Sequence, residues 1–150
     1  MMRSLAVRPR LWPAALLALA ACAVGPSAGP GGEAERLEGT VWQLEELNGR
    51  PPVMVPGGAA PTLAFAADEP RASGNGGCNQ FGGAYTRTRA GLQFGALAST
   101  RRACVDEAAT RQESAYLQAL QSITRYAVYD GLLVLYAGDQ VVARLRRSGG

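Results

Sequence analysis

"RYAVYDGLLVLYAGDQVVARLRR", residues 125–147, is the stretch whose reading decides the fold. Apolar residues return here at a period of two, and two turn signals, Asp130-Gly131 and Gly138-Asp139, cut the run into three short strands. Asp130-Gly131 supplies the φ > 0 positions that a two-residue hairpin turn needs, so the strands form an antiparallel meander. Immediately upstream the period changes. In "EAATRQESAYLQALQSIT" (107–124) Ala109, Tyr116, Leu117, Leu120 and Ile123 fall near i, i+3, i+4, i+7 spacing. That spacing predicts one amphipathic helix over about 106–124, with Asp106 as its N-cap. Glu107, Arg111, Gln112, Ser114, Gln118 and Gln121 read as its solvated face.

Farther upstream the chain is again strand-like. "GTVWQLEELNG" (39–49) alternates and ends at the turn signal Asn48-Gly49. "PTLAFAA" (61–67) is a second strand, and "NQFGGAYTRT" (79–88) and "GLQFGAL" (91–97) are two more, joined around Gly91. Glycines inside them suggest bulges or close backbone approach. The fold class is therefore mainly β (α+β). A curved antiparallel sheet or small barrel with one helix packed on it would bury one face of every strand.

Composition narrows the function classes. The chain has 150 residues, which suits one domain plus a flanking segment. It carries no run of about 18 apolar residues, so no transmembrane helix is expected. All 15 basic residues are arginine, against 12 acidic ones. Three of them, Arg3, Arg8 and Arg10, precede the apolar run that starts at Leu11; without them the count is 12 against 12. A neutral body argues against a nucleic-acid partner. There is no histidine, which excludes Ser-His-Asp and Cys-His catalysis and imidazole metal sites.

Residues 1–21, "MMRSLAVRPRLWPAALLALAA", have the basic start and apolar stretch of a bacterial secretory signal. The segment ends in "LAAC" (19–22), which matches the lipobox of bacterial lipoproteins. Cys22 is then the lipidated residue. The plainer alternative is an ordinary cleaved signal with a cysteine nearby. Several acyl chains hold a protein firmly to a membrane, each buried CH₂ contributing roughly 0.8 kcal/mol. Ala23, rather than aspartate, follows the cysteine, which by resemblance to enterobacterial sorting implies the outer membrane. The Gly/Pro/Ala-rich residues 23–34 read as a flexible tether. The expected organisation is a signal peptide at 1–21, lipidated Cys22 and tether at 22–36, and a domain at 37–148.

"SGNGGCNQFGGAY" (73–85) packs five glycines around one cysteine. A phosphate loop is disfavoured: G-x-G-x-x-G fails at Asn79, and the chain has no lysine. A metal or redox site is disfavoured too, since Cys78 and Cys104 are 26 positions apart, form no C-x-x-C, and have no histidine to help. No cofactor and no metal are expected. With Cys22 lipidated, two cysteines remain in an oxidising compartment, which predicts a structural Cys78–Cys104 disulfide. Closing that loop would stabilise the fold by roughly 3 kcal/mol.

The motifs also resemble a known family. "VWQLEELNG", "SGNGGCNQFGGAY", "LASTRRAC" and "ESAYLQALQSITRYAVYDGLLVLY" occur in the order seen in META domain (HslJ-like) proteins, and the resemblance covers about 37–147. Its most specific parts are G-C-N-x-F-x-G-x-Y (Gly77, Cys78, Asn79, Phe81, Gly83, Tyr85) and T-R-x-x-C (Thr100, Arg101, Cys104). A helix bearing Glu113, Tyr116 and Leu120 follows them. Arg102 stands where the family usually has an apolar residue, which makes an exposed or snorkelling arginine the simple expectation. The resemblance implies a lipocalin-like strand-rich fold with one packed helix. It also implies the bacterial envelope, stress response, novobiocin tolerance in some members, and no established catalysis.

Two functional readings follow. The first is a non-catalytic, lipid-anchored envelope protein that binds or supports another envelope component, with Asn79, Thr100 and Arg101 as candidate surface residues. Each has a plainer role: Asn79 satisfying turn backbone, Thr100 and Arg101 bracing the crossing to the helix. The second is a small apolar-ligand binder using a cavity lined by Trp42, Phe65, Phe81, Tyr85 and Phe94, whose plainer role is to fill the core. An enzyme would have to rely on carboxylates such as Glu45, Glu46, Asp106 and Glu113, and no pairing among them follows from the sequence.

Overall fold

The computed structural model describes residues 36–149 apart from Gly57, Arg89, Ala90 and Ala103. The segments expected to be a signal peptide and a tether, with Cys22, lie outside these described residues except for Arg36. The elements are β1 (Val41–Leu47), β2 (Thr62–Phe65), β3 (Arg71–Asn75), β4 (Gln80–Arg87), β5 (Leu92–Phe94), β6 (Ala98–Ser99), α1 (Glu107–Ser122), β7 (Arg125–Tyr129), β8 (Leu132–Ala137) and β9 (Gln140–Arg147).

The strands form one antiparallel sheet in the order β5-β4-β3-β2-β1-β9-β8-β7, with β6 on β4. The sheet curls until its two ends nearly meet. Gly91, just before β5, bridges Arg125 of β7, and the Leu92 amide donates to the Thr124 carbonyl at 3.2 Å. Register shifts between Leu44 and Glu46 and between Leu135 and Tyr136 mark irregularities in two of the ladders. Such shifts sharpen local twist and help a sheet close. The expected small barrel with one helix is what forms.

The tail folds as its pattern predicts. Asp130 and Gly131 have φ of 49° and 72°, the left-handed pair that turns β7 into β8. Alternation puts Leu133, Leu135, Ala143 and Leu145 into the interior. There they meet Trp42 and Leu44 of the adjoining strand β1, Leu63 of β2, and Tyr116 and Leu120 of α1. The helix thus supplies part of the core. Asp106 caps it, its Oδ1 accepting from the amides of Ala108 and Ala109 at 2.6 and 3.0 Å.

Three details depart from the sequence reading. Residues 71–75 form a strand, although only Ala72 is fully buried and the run is rich in small residues. Pairing with β2 and β4 on both sides imposes the strand where side-chain propensity does not. The two-residue strand β6 is likewise set by its partner, β4. Gln112 is buried rather than solvated: its side chain bonds both the amide and the carbonyl of Val53, fastening the 50–60 loop to the helix.

Candidate functional site

Cys78 and Cys104 are joined as a disulfide, with Cα atoms 5.7 Å apart. The bridge ties the turn between β3 and β4 to the segment that enters α1. Around it lies a second tie made of hydrogen bonds. Glu113, on the buried face of α1, turns its carboxylate onto the turn. Its Oε2 accepts from the amides of Cys78 and Asn79 at 3.1 and 2.6 Å, and its Oε1 accepts from Asn79 Nδ2 at 2.8 Å. Hydrogen bonds to a charged acceptor contribute about 1.5–3 kcal/mol each, so this one side chain is a substantial clamp.

The glycines make room for it. A Cβ on Gly76 would lie 2.5 Å from Glu113 Cγ and 2.6 Å from its Oε2. No side chain fits between that backbone and the carboxylate. Gly77 has φ of 114°, a conformation that side chains oppose. Asn75 Oδ1 accepts from the Gly77 amide at 2.7 Å, shaping the same turn.

Asn79 is the hub, 6% exposed. Its Oδ1 accepts from the Thr100 hydroxyl at 2.9 Å and from the Arg102 amide at 2.7 Å. Its Nδ2 donates to Glu113 and to the Arg102 carbonyl at 3.2 Å. The side-chain amide therefore has its donors and its acceptor engaged within the protein. Thr100 faces solvent but gives its hydroxyl proton to Asn79, and its oxygen accepts from the Gln80 amide at 3.2 Å. Of the three candidate surface residues, the structure brings Asn79 and Thr100 into one internal brace and leaves the Arg101 side chain outside it. Arg101 and Arg102 are exposed, and among the described residues neither guanidinium has an ion-pair partner.

The five candidate cavity residues fill the interior. Phe65 and Tyr85 stack edge-on with centroids 5.1 Å apart, Phe94 packs against both, and Phe81 meets Tyr116 edge-on at 5.9 Å. Trp42 is fully buried. This packing is the core-filling one of the two roles read for these residues, with Phe65, Tyr85 and Phe94 as one another's neighbours. Burial holds the Tyr116 hydroxyl far above its ordinary pKa, and that of Tyr85 is raised by burial and then by the nearby Glu38 carboxylate.

Open space lies outside the barrel, beside the disulfide. A groove of about 480 Å³ runs between the 55–59 loop and the start of α1, with Cys78 and Cys104 in its wall. Val55, Pro56 and Val105 give it apolar surface, and Arg102 and Asp106 give it charge. Val105 is fully exposed at its edge, and Val53 and Met54 also face solvent on the same loop. The enzyme carboxylates separate accordingly. Glu45 and Glu46 pair with Arg146 and Arg144 on β9, Asp106 caps α1, and Glu113 is held by the turn. One donor set for a metal does converge: the sulfurs of Cys78 and Cys104 and a Glu113 oxygen lie within 4.8 Å of one another.

Gln112 and Glu113 were within reach of sequence reasoning. Both sit three or four positions from Ala109 and Tyr116, on the face that the periodicity assigns to the core. A polar pair on that face signals buried hydrogen bonding.

Comparison with known proteins agrees with this geometry. Among solved structures, the chain is similar to an NMR structure of a protein from Burkholderia xenovorans, with 30% identity and a TM-score of 0.62 over 76% of this chain and 85% of that one. A second NMR structure matches at 22% identity and a TM-score of 0.59, over 73% and 90% of the two chains, and shows the shared fold. No curated protein matches. The family model described as META domain matches residues 35–149, the whole span of barrel, helix and disulfide turn, and the chain belongs to the META domain family.

Proposed function

We propose that this is a non-catalytic envelope protein, lipid-anchored through Cys22, that acts by binding another envelope component at the disulfide end of its barrel. The observation that carries the reading is the pairing of a filled interior with an open groove lined by Arg102, whose exposed guanidinium, like that of its chain neighbour Arg101, has no ion-pair partner among the described residues. With Asp106 engaged in capping α1, the apolar wall and the Arg102 guanidinium suit an extended protein segment that carries carboxylates. Thr100 and Asn79 serve the site by holding the Arg101-Arg102 backbone in place. Support of envelope stress tolerance, including tolerance to novobiocin, is the proposed role, and it rests on resemblance to family members. The anchor would place the domain at the outer membrane facing the periplasm.

The reading is tested in intact cells with a photoreactive residue at position 105 of the full lipidated chain. A discrete adduct with one envelope protein, lost on double charge reversal at Arg101 and Arg102 while urea stability is unchanged, is expected. An adduct pattern indifferent to the reversal would overturn it.

A further inference from the structure

We propose that opening the Cys78–Cys104 disulfide creates a soft-metal site, in which a divalent cation of the zinc class is held by the two thiolates and the Glu113 carboxylate. The inference is independent of the binding function above. It begins with convergence: three ligand atoms from the β3–β4 turn, the α1 entry and α1 itself lie within 4.8 Å of one another. Tetrahedral zinc, with bonds of about 2.3 Å to sulfur and about 2.0–2.2 Å to oxygen, sets its ligands roughly 3.5–3.8 Å apart. Separating the sulfurs from a bonded distance of about 2.0 Å to about 3.8 Å is a side-chain movement.

The second observation is that the ligands stay together without the covalent bond. Asn79, next to Cys78, binds the amide and the carbonyl of Arg102, two residues before Cys104, and it also binds Glu113. The hydrogen-bonded brace thus spans the same three pieces of chain as the disulfide does. Cleaving the disulfide leaves two thiols preorganised beside an acceptor-only carboxylate, where a zinc finger would have to fold around its ion.

The third observation concerns access to the sulfurs. Cys104 lies two residues before the N-cap of α1. Asn79 Nδ2 also reaches Cys104 Sγ, at 3.9 Å. Both cysteines are in the wall of the groove, which gives an ion a path in and leaves room for a water as fourth ligand.

The steps balance as follows. A dithiol reductant gives two electrons and two protons to the disulfide; the S–S bond breaks, two thiols form, and the reductant leaves as its own disulfide. The cation then displaces two protons, forming two metal–sulfur bonds and one metal–oxygen bond. The disulfide thereby acts as a gate: oxidised protein has no thiolate to offer.

The full chain with Cys22→Ser, so that Cys78 and Cys104 are its thiols, is reduced with a dithiol, freed of reductant under argon and titrated with cobalt(II). One cobalt per chain with thiolate-to-cobalt absorption in the near ultraviolet is expected, displaced by one equivalent of zinc with release of two protons. The oxidised chain should give no such band. Glu113→Gln should weaken zinc binding at least tenfold, and Glu113→Asp less. X-ray absorption of the wild-type zinc form should show two sulfur ligands with lighter ligands beside them, a reading that does not depend on any variant folding. Absence of the band in the reduced chain, a four-sulfur zinc shared between chains, or equal affinity in wild type and Glu113→Gln would each overturn the proposal.

Discussion

Glu113 binds two amides 34 and 35 residues before it, so its contribution is long-range and cooperative with folding. Truncating it would leave those buried donors without partners, at about 1–3 kcal/mol each. Glu113→Ala is therefore expected to lose roughly 3 kcal/mol or more of unfolding free energy in urea. Arg101→Ala, on an exposed side chain, should stay within about 0.5 kcal/mol. Equal effects would refute the division between brace and surface. At this scale the sequence was informative about which residues matter and less so about how. Asn79 and Thr100 were candidate surface residues with a plainer bracing role, and the structure gives both the bracing role. Arg102 was expected to be exposed or snorkelling, and it is exposed. The glycines around Cys78 were disfavoured as a phosphate loop; at Gly76 the group they admit is the Glu113 side chain. Nothing local in 73–85 could reveal that, because Glu113 arrives only when the helix docks.

Among the elements, α1 and the β7–β9 meander were legible because each announces its period over many residues and its ends by Asp106, Asp130-Gly131 and Gly138-Asp139. The cap is a checkable part of that account. Asp106→Ala should cost about 1 kcal/mol, read from the urea midpoint, with the helix otherwise intact. β3 and β6 were not legible, since one is built of small residues and the other has only two, and both exist by pairing with β4. The disulfide stands between these cases. Its pairing followed from compartment and cysteine count, whereas its place beside a groove needed the fold. Reducing it should lower stability by roughly 3 kcal/mol in the chain-entropy model without unfolding the chain, since the Asn79–Glu113 brace remains. A reduced chain that loses its near-ultraviolet circular dichroism would contradict that.

At the scale of the whole molecule, the seam among the described residues is closed by the Gly91–Arg125 bridge and the Leu92 amide, and the core does the rest. One polar atom sits in that core without a partner among the described residues, the Tyr116 hydroxyl. Burying an unpaired hydroxyl is costly, so Tyr116→Phe should leave the stability unchanged or raise it by about 1 kcal/mol. The same burial makes the fold sensitive to alkali. The folded-state pKa values of Tyr116 and Tyr85 lie above the ordinary 10.0. Above that pH the unfolded chain has lost phenolic protons that the folded one keeps, so stability is fully present below about pH 10 and falls as pH rises further. Tyr116→Phe should flatten part of that fall.

The central claim is that the barrel is filled and that the protein works from its surface. Trp42 reports on it directly, being fully buried in the barrel and the one tryptophan in residues 22–150. Titration of residues 22–150 with fatty acids and apolar dyes, followed by Trp42 fluorescence, should show no saturable change. A saturable response at one ligand per chain would mean that the interior opens to a guest, and would contradict the account.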